Sequence, residues 1–265
     1  MGIISNNSAI DKIQVFLNKV QNSKKTQNDA TYKHCVKADA LRIRDYFLES
    51  IDEYLVAISY DESNFDAFKG LGLSYKQVGY IKSAIESFEK AKRISPFDKT
   101  VYYELGICYT LENNHFKAIE EYKKAIKLNP NYIDAQFNLA VAHELINELD
   151  LALKIYLKII EEKPSYIAAY NNLGSLYMRL GMLLQSIQIF KKLLEINPDY
   201  IRAYLGIAIA FDKMNRANDA IRYYKKYIEI KPNSANALYI TERINELRGE
   251  RKINKKPHLK LVHAL

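Results

Sequence analysis

Histidine and cysteine are the side chains best suited to hold a metal or attack a substrate near neutral pH, and this chain of 265 residues has five of the first and two of the second. His34, His115, His143, His258 and His263 show no metal-ligand spacing with one another or with Cys, Asp or Glu. Cys35 and Cys108 stand alone on separate segments, as suits a reducing compartment. Gly70-Leu71-Gly72 begins like a dinucleotide-binding loop, but Tyr75 occupies the place of the third glycine. No serine or cysteine lies in a nucleophile motif. These residues predict neither an enzyme nor a bound cofactor or metal. The remaining chemistry is charge, a net +8 at pH 7 that collects at the ends. Residues 248–265 carry about +5 and residues 1–30 about +2, which leaves the body between them nearly neutral. Arg251, Lys252, Lys255 and Lys256 are therefore the candidate contacts for a polyanion, either RNA or an anionic membrane, in a tail whose composition otherwise reads as solvated and unstructured.

The elements between those ends are set by a repeat. Pro96, Pro130, Pro164, Pro198 and Pro232 follow one another at 34 residues without insertion or deletion, defining units at 65–98, 99–132, 133–166, 167–200 and 201–234. Place seven of each unit is large and apolar (Leu71, Leu105, Leu139, Leu173, Ile207) and place eight is tiny (Gly72, Gly106, Ala140, Gly174, Ala208). Place twenty is again small, from Ala84 and Ala118 to Ala220, and place twenty-four is a ring: Phe88, Tyr122, Tyr156, Phe190 and Tyr224. Tiny residues allow close helix approach, and rings fill what remains. Only Gly or Asn occurs at place fifteen (Gly79, Asn113, Asn147, Gly181, Asn215), where a first helix must stop in the left-handed conformation. Each unit therefore predicts a pair of antiparallel helices, the second ending before its proline.

The pattern resembles the tetratricopeptide repeat (TPR) over residues 65–234. Two departures fall in one unit: Gln136 stands in the column where that family has Trp, and His143 in an aromatic column. The resemblance implies an all-α, right-handed superhelical solenoid of about six repeats with a C-terminal capping helix. Ala40, Leu41, Ser50, Tyr54 and Ala57 extend it to a degenerate repeat at 31–64, although Asp45 stands at place fifteen. Residues 235–249 read as the cap and 250–265 as the basic tail. The extension 1–30 contains an amphipathic helix over 8–20, with Ile10, Ile13, Phe16, Leu17 and Val20 at helical spacing over the first repeat.

In the family the first helices line a concave groove that holds extended peptides. Transferred by column, that lining would include Lys69, Tyr103, Ile107, Phe137, Asn138, Val141, Asn171, Asn172 and Leu205. The charges in these columns cancel, and the lysine and asparagine set that grips acidic chaperone tails is absent. Asn138 and Asn172 form two rungs of an amide ladder able to pair with a peptide backbone whatever its sequence. The resemblance thus implies a non-catalytic, cytoplasmic scaffold that binds protein segments, and its neutral groove disfavours nucleic acid except through the tail. Recruitment to RNA or membrane by that tail, or service as an accessory subunit to an enzyme on another chain, are the alternatives. No run of about 18 apolar residues is present to span a membrane, and residues 1–12 do not have the form of a secretory signal.

Overall fold

A computed structural model describes residues 28–249, and these are all-α. Helix α1 covers 28–43. It is followed by α2 (Phe47–Tyr60), α3 (Phe65–Gln77), α4 (Ile81–Ile94), α5 (Lys99–Leu111), α6 (His115–Leu128) and α7 (Ile133–Leu145). Then come α8 (Leu149–Glu162), α9 (Ile167–Arg179), α10 (Leu183–Ile196), α11 (Ile201–Lys213), α12 (Ala217–Ile230) and α13 (Ala237–Leu247). The chain forms two compact units that divide inside α7, one ending at Ala142 and the other beginning at His143. The expected helix over 8–20 and the basic tail lie outside the described residues.

Every helix pair is separated by the same turn. Gly79, Asn113, Asn147, Gly181 and Asn215 all have φ between 56 and 82°. One residue later, a backbone N–H reaches back to the carbonyl at place eleven: Tyr80 to Tyr75 at 2.9 Å, Asn114 to Tyr109 at 2.8 Å, Met182 to Tyr177 at 2.9 Å and Arg216 to Phe211 at 2.9 Å. This is the helix-ending motif in which a left-handed residue lets the chain satisfy the last carbonyls of the helix. Asp45 does the same with φ 63°, and Tyr46 N–H bonds to the Leu41 carbonyl at 3.0 Å. A short polar side chain tolerates this conformation, so the residue that departs from the column does not depart from the turn. First helices start on side-chain caps where the sequence supplies them: the Asn64 oxygen accepts from Ala67 N–H, and the Asp98 carboxylate from Thr100 and Val101 N–H.

Packing centres on the ring at place twenty-four. In the first unit Phe88 lies against Gly72 so closely that a Cβ there would sit 2.7 Å from its Cε1. In the second, Phe190 faces Gly174 of its own repeat and Gly206 of the next. The small residues Ala84, Ala118, Ala152, Ser186 and Ala220 are all fully buried. The two polar intruders also find partners. Gln136 donates to the Pro130 carbonyl at 2.6 Å, the bond made by Tyr102 to Pro96 and by Tyr204 to Pro198 in the same column. His143, buried, is 2.5 Å from Glu148 through Nδ1. Helix α13 lies on α12 with Ile240 and Ile244 buried, and Arg243 binds Asp212 of α11 through two nitrogens at 2.8 and 2.9 Å.

Gly72→Ala should lower stability by about 1–3 kcal/mol through overpacking against Phe88. Gly79→Ala, with open space around it, should lose only the left-handed backbone preference, about 1–2 kcal/mol. Equal melting temperatures for wild type and Gly72→Ala would mean that the ring does not occupy this contact. We propose that α13 is the cap, so a chain ending at Ser234 should lose several kcal/mol, the scale of one interface between repeats. A denaturant midpoint equal to that of the full chain would contradict it.

Candidate protein-binding surfaces

The first helices supply the surface in question, and α5 and α7 build its apolar stretch in the unit ending at Ala142. Tyr103 and Ile107 are one turn apart on α5, and Phe137, Asn138 and Val141 share a face of α7. All five are half-buried. Tyr103 is fixed by its neighbours: its ring lies 4.9 Å from that of Tyr132 and 6.1 Å from that of Tyr122, and Asn138 Nδ2 donates to its hydroxyl at 3.2 Å. Burial raises the Tyr103 hydroxyl above its ordinary pKa, and the Asp134 and Glu104 carboxylates reinforce it, so the group remains a neutral donor. The Asn138 carbonyl oxygen has no hydrogen-bond partner among the described residues, and it is not enclosed.

Several charged members of the same columns are engaged in ion pairs. Lys69 pairs with Asp98 at 3.0 Å and lies 5.3 Å from the Phe65 ring. Lys76 pairs with Glu104 at 2.5 Å. In the unit beginning at His143, Glu144 pairs with Arg179 at 3.0 Å and Asp212 with Arg243 at 2.8 Å. Lys76–Glu104 and Glu144–Arg179 each join one repeat to the next, Asp212–Arg243 joins the last repeat to α13, and Lys69–Asp98 lies within one unit. Burial alone would raise the Asp98 carboxyl, but bonds from the Thr100 hydroxyl, Lys69 and Val101 N–H outweigh it and hold the group below the usual range.

Three expectations from the column transfer are corrected here. Leu205 is 1% exposed and belongs to the core. Asn171 is also buried, donating to Asn172 at 3.3 Å. The ladder is not two equivalent rungs, because Asn172 donates to the Tyr156 hydroxyl at 3.1 Å while its oxygen accepts from Asn171. The sixth place of a first helix leans on the second helix of the preceding repeat, as Gly70 does on Tyr54 and Gly206 on Phe190, and Asn172 meets Tyr156 there. Lys69, Tyr103, Ile107, Phe137, Asn138 and Val141 keep exposed surface. Arg251, Lys252, Lys255 and Lys256 lie outside the described residues.

Sequence columns missed a coupling between places twelve and twenty-four. Tyr156 donates to Glu144 at 2.7 Å, Tyr224 to Asp212 at 3.1 Å, and Tyr122 shares a bond with Thr110 at 3.3 Å. Where the ring is Phe88 or Phe190, place twelve is Lys76 or Met178 and no such bond is needed. The signal was present in the sequence as a paired choice of residue. Burial, then the neighbouring Glu144 charge, raises the Tyr156 pKa, which keeps its hydroxyl protonated.

Family profiles described as tetratricopeptide repeat match residues 70–98, 134–165 and 165–233, and one described as TPR repeat matches 108–146. The chain belongs to the tetratricopeptide-repeat family, whose repeats form helical scaffolds for protein interaction. Among solved structures it is similar to the MamA protein, at 29% identity over 64% of this chain and 93% of that one, with a TM-score of 0.61. It shares its fold with YrrB, "a TPR protein with an unusual peptide-binding site", at 19% identity over 71% and 97% of the two chains and a TM-score of 0.60. PilF of Pseudomonas aeruginosa has the same fold, at 14% identity over 82% and 99% of the two chains and a TM-score of 0.67. No curated protein matches the sequence. Among the described residues no group of His, Cys, Asp and Glu could hold a metal, and no helix is long and apolar enough to cross a membrane.

Asp98→Asn keeps the helix cap but removes the charge that binds Lys69. Because the folded carboxyl titrates below its unfolded value of about 3.9, the lost stabilisation, up to ~1 kcal/mol, should be present at neutral pH. It should disappear as pH falls through the folded value. Urea titrations of both proteins at pH 7 and at about pH 3 check this, and a difference that persists unchanged in acid would rule out the ion pair as its source.

Proposed function

We propose that this protein is a non-catalytic scaffold that holds an extended segment of a partner protein against its first helices, chiefly on Tyr103, Ile107, Phe137, Asn138 and Val141. The observation that carries this reading is the pairing of an apolar patch with a free amide oxygen on a rigid tyrosine support. Such a surface offers area to apolar side chains and an acceptor to a peptide N–H. The charges flanking it are already paired, so recognition rests on shape and backbone bonds rather than on net charge. That favours a peptide over a polyanion. The fold shared with YrrB, titled as peptide-binding, supports the same class of ligand. Both cysteines are free in the structure, which supports placing this activity in the reducing cytoplasm. In the unit beginning at His143, Asn172 and Arg179 offer a smaller, more polar surface on the same helix face.

A peptide selected from a random display library against the whole protein provides the ligand for titration. Phe137→Ala should weaken its binding by about 2 kcal/mol or more, as expected of a central aromatic anchor. Asn138→Ala should cost about 0.5–1.5 kcal/mol for one lost hydrogen bond. Deleting residues 250–265 should leave the affinity unchanged at physiological salt. If binding survives both substitutions and vanishes with the tail, recruitment through Arg251, Lys252, Lys255 and Lys256 replaces this reading.

A further inference from the structure

On the second helices of the unit beginning at His143, a cleft of about 370 Å³ opens between α10 and α12. Tyr204 and Tyr223 line it, their ring centroids 6.4 Å apart, and Lys191, Arg222, Lys226 and Glu195 surround them. Lys226 is held by Glu229 at 2.7 Å, whereas Lys191 and Arg222 make no ion pair among the described residues.

The repeat supplies its own control for this cleft. The equivalent place in the unit ending at Ala142 is built on Tyr102, which has the ammonium groups of Lys92 and Lys124 at 5.9 and 6.0 Å from its ring. There the cations are neutralised from within: Glu121, buried on α6, accepts from Lys92 at 3.3 Å and from Lys124 at 2.9 Å, and Glu89 accepts from Lys92 at 2.7 Å. Lys124 corresponds to Lys226, Tyr102 to Tyr204 and Glu121 to Tyr223. Lys191, Arg222 and Tyr223 stand where the other site has Glu89, Glu120 and Glu121, so one site contains its anions while the other has a ring and two cations without an ion pair in their places.

We propose that the α10–α12 cleft is a second binding site, separate from the first-helix surface, for an acidic side chain of a partner protein segment, a carboxylate or a phosphate next to an apolar residue. The rings would take the apolar neighbour, and Arg222 with Lys191 the anion. Glu195 and Glu229 interrupt the cationic rim, so a single anion fits and a polyphosphate chain is repelled, which favours a peptide over nucleic acid.

The probes are a fluorescein-labelled Leu-Glu-Leu peptide, its Leu-Gln-Leu isostere and the phosphoserine counterpart, titrated against the full chain. At least one anionic peptide should bind about tenfold or more tighter than the isostere, as for hydrogen bonds to a charged group. Binding of the phosphoserine peptide alone would assign the anion to a modified segment. Tyr223→Glu restores the carboxylate of the other cleft and should abolish the preference; Arg222→Glu, at an exposed position, should do the same. Melting curves of both variants confirm that they are folded. Phe137→Ala should leave all of this unchanged, so the site stands or falls apart from the first-helix surface. Equal binding of the isostere, full binding by Tyr223→Glu, or tighter binding of an oligonucleotide of equal charge would each overturn the proposal.

Discussion

A ring at place twenty-four, pressed between the first helix of its own repeat and that of the next, is the contact on which the rest of the array depends. Phe190 shows both sides of it, against Gly174 and Gly206. Such a ring can reach both helices only if every helix keeps its length and phase. First helices of 13 residues and second helices of 14 recur through the chain for that reason. One inserted residue would turn all later side chains by about 100° around the helix, moving the glycine away and a larger residue under the ring. The unbroken 34-residue proline spacing is the sequence-level trace of this geometric lock.

The same ring organises the polar residues around it. Where it is tyrosine, its buried hydroxyl needs a partner, and Glu144, Asp212 or Thr110 provides one at place twelve. Glu144 and Asp212 in turn bind Arg179 and Arg243 of the following repeat or helix. Core packing and surface charge are therefore joined through a single carboxylate. Glu144 and Asp212 are thus committed to links between neighbouring elements of the array and are not left for a ligand.

Most of the fold was legible because a repeat provides its own comparison. Five copies of one column separate what the backbone requires, such as Gly or Asn at place fifteen, from what varies. Columns carry no information about what touches across the boundary between repeats. That is why Leu205 and Asn171 read as surface and prove to be buried, and why Asn138 and Asn172, alike in sequence, have different freedom. Asp45 and Gln136 erred in the other direction. Each breaks a column by residue name yet performs the column's task, one adopting the left-handed turn and the other bonding the proline carbonyl. A residue type is an imperfect label for a hydrogen bond.

The hydroxyl at place twenty-four also gives the array a direction of change. Replacing Tyr156 by phenylalanine first would leave Glu144 with Arg179 and some exposure to water, a tolerable state. Losing Glu144 first would remove the carboxylate that accepts from the buried Tyr156 hydroxyl at 2.7 Å, at a cost of about 1–3 kcal/mol. A repeat can thus pass from the tyrosine form to the phenylalanine form, as seen at Phe88 and Phe190, more easily in one order than in the other. Once the ring has lost its oxygen, place twelve is free to become the lysine or methionine found there, and each repeat acquires a surface of its own without disturbing the wedge beneath.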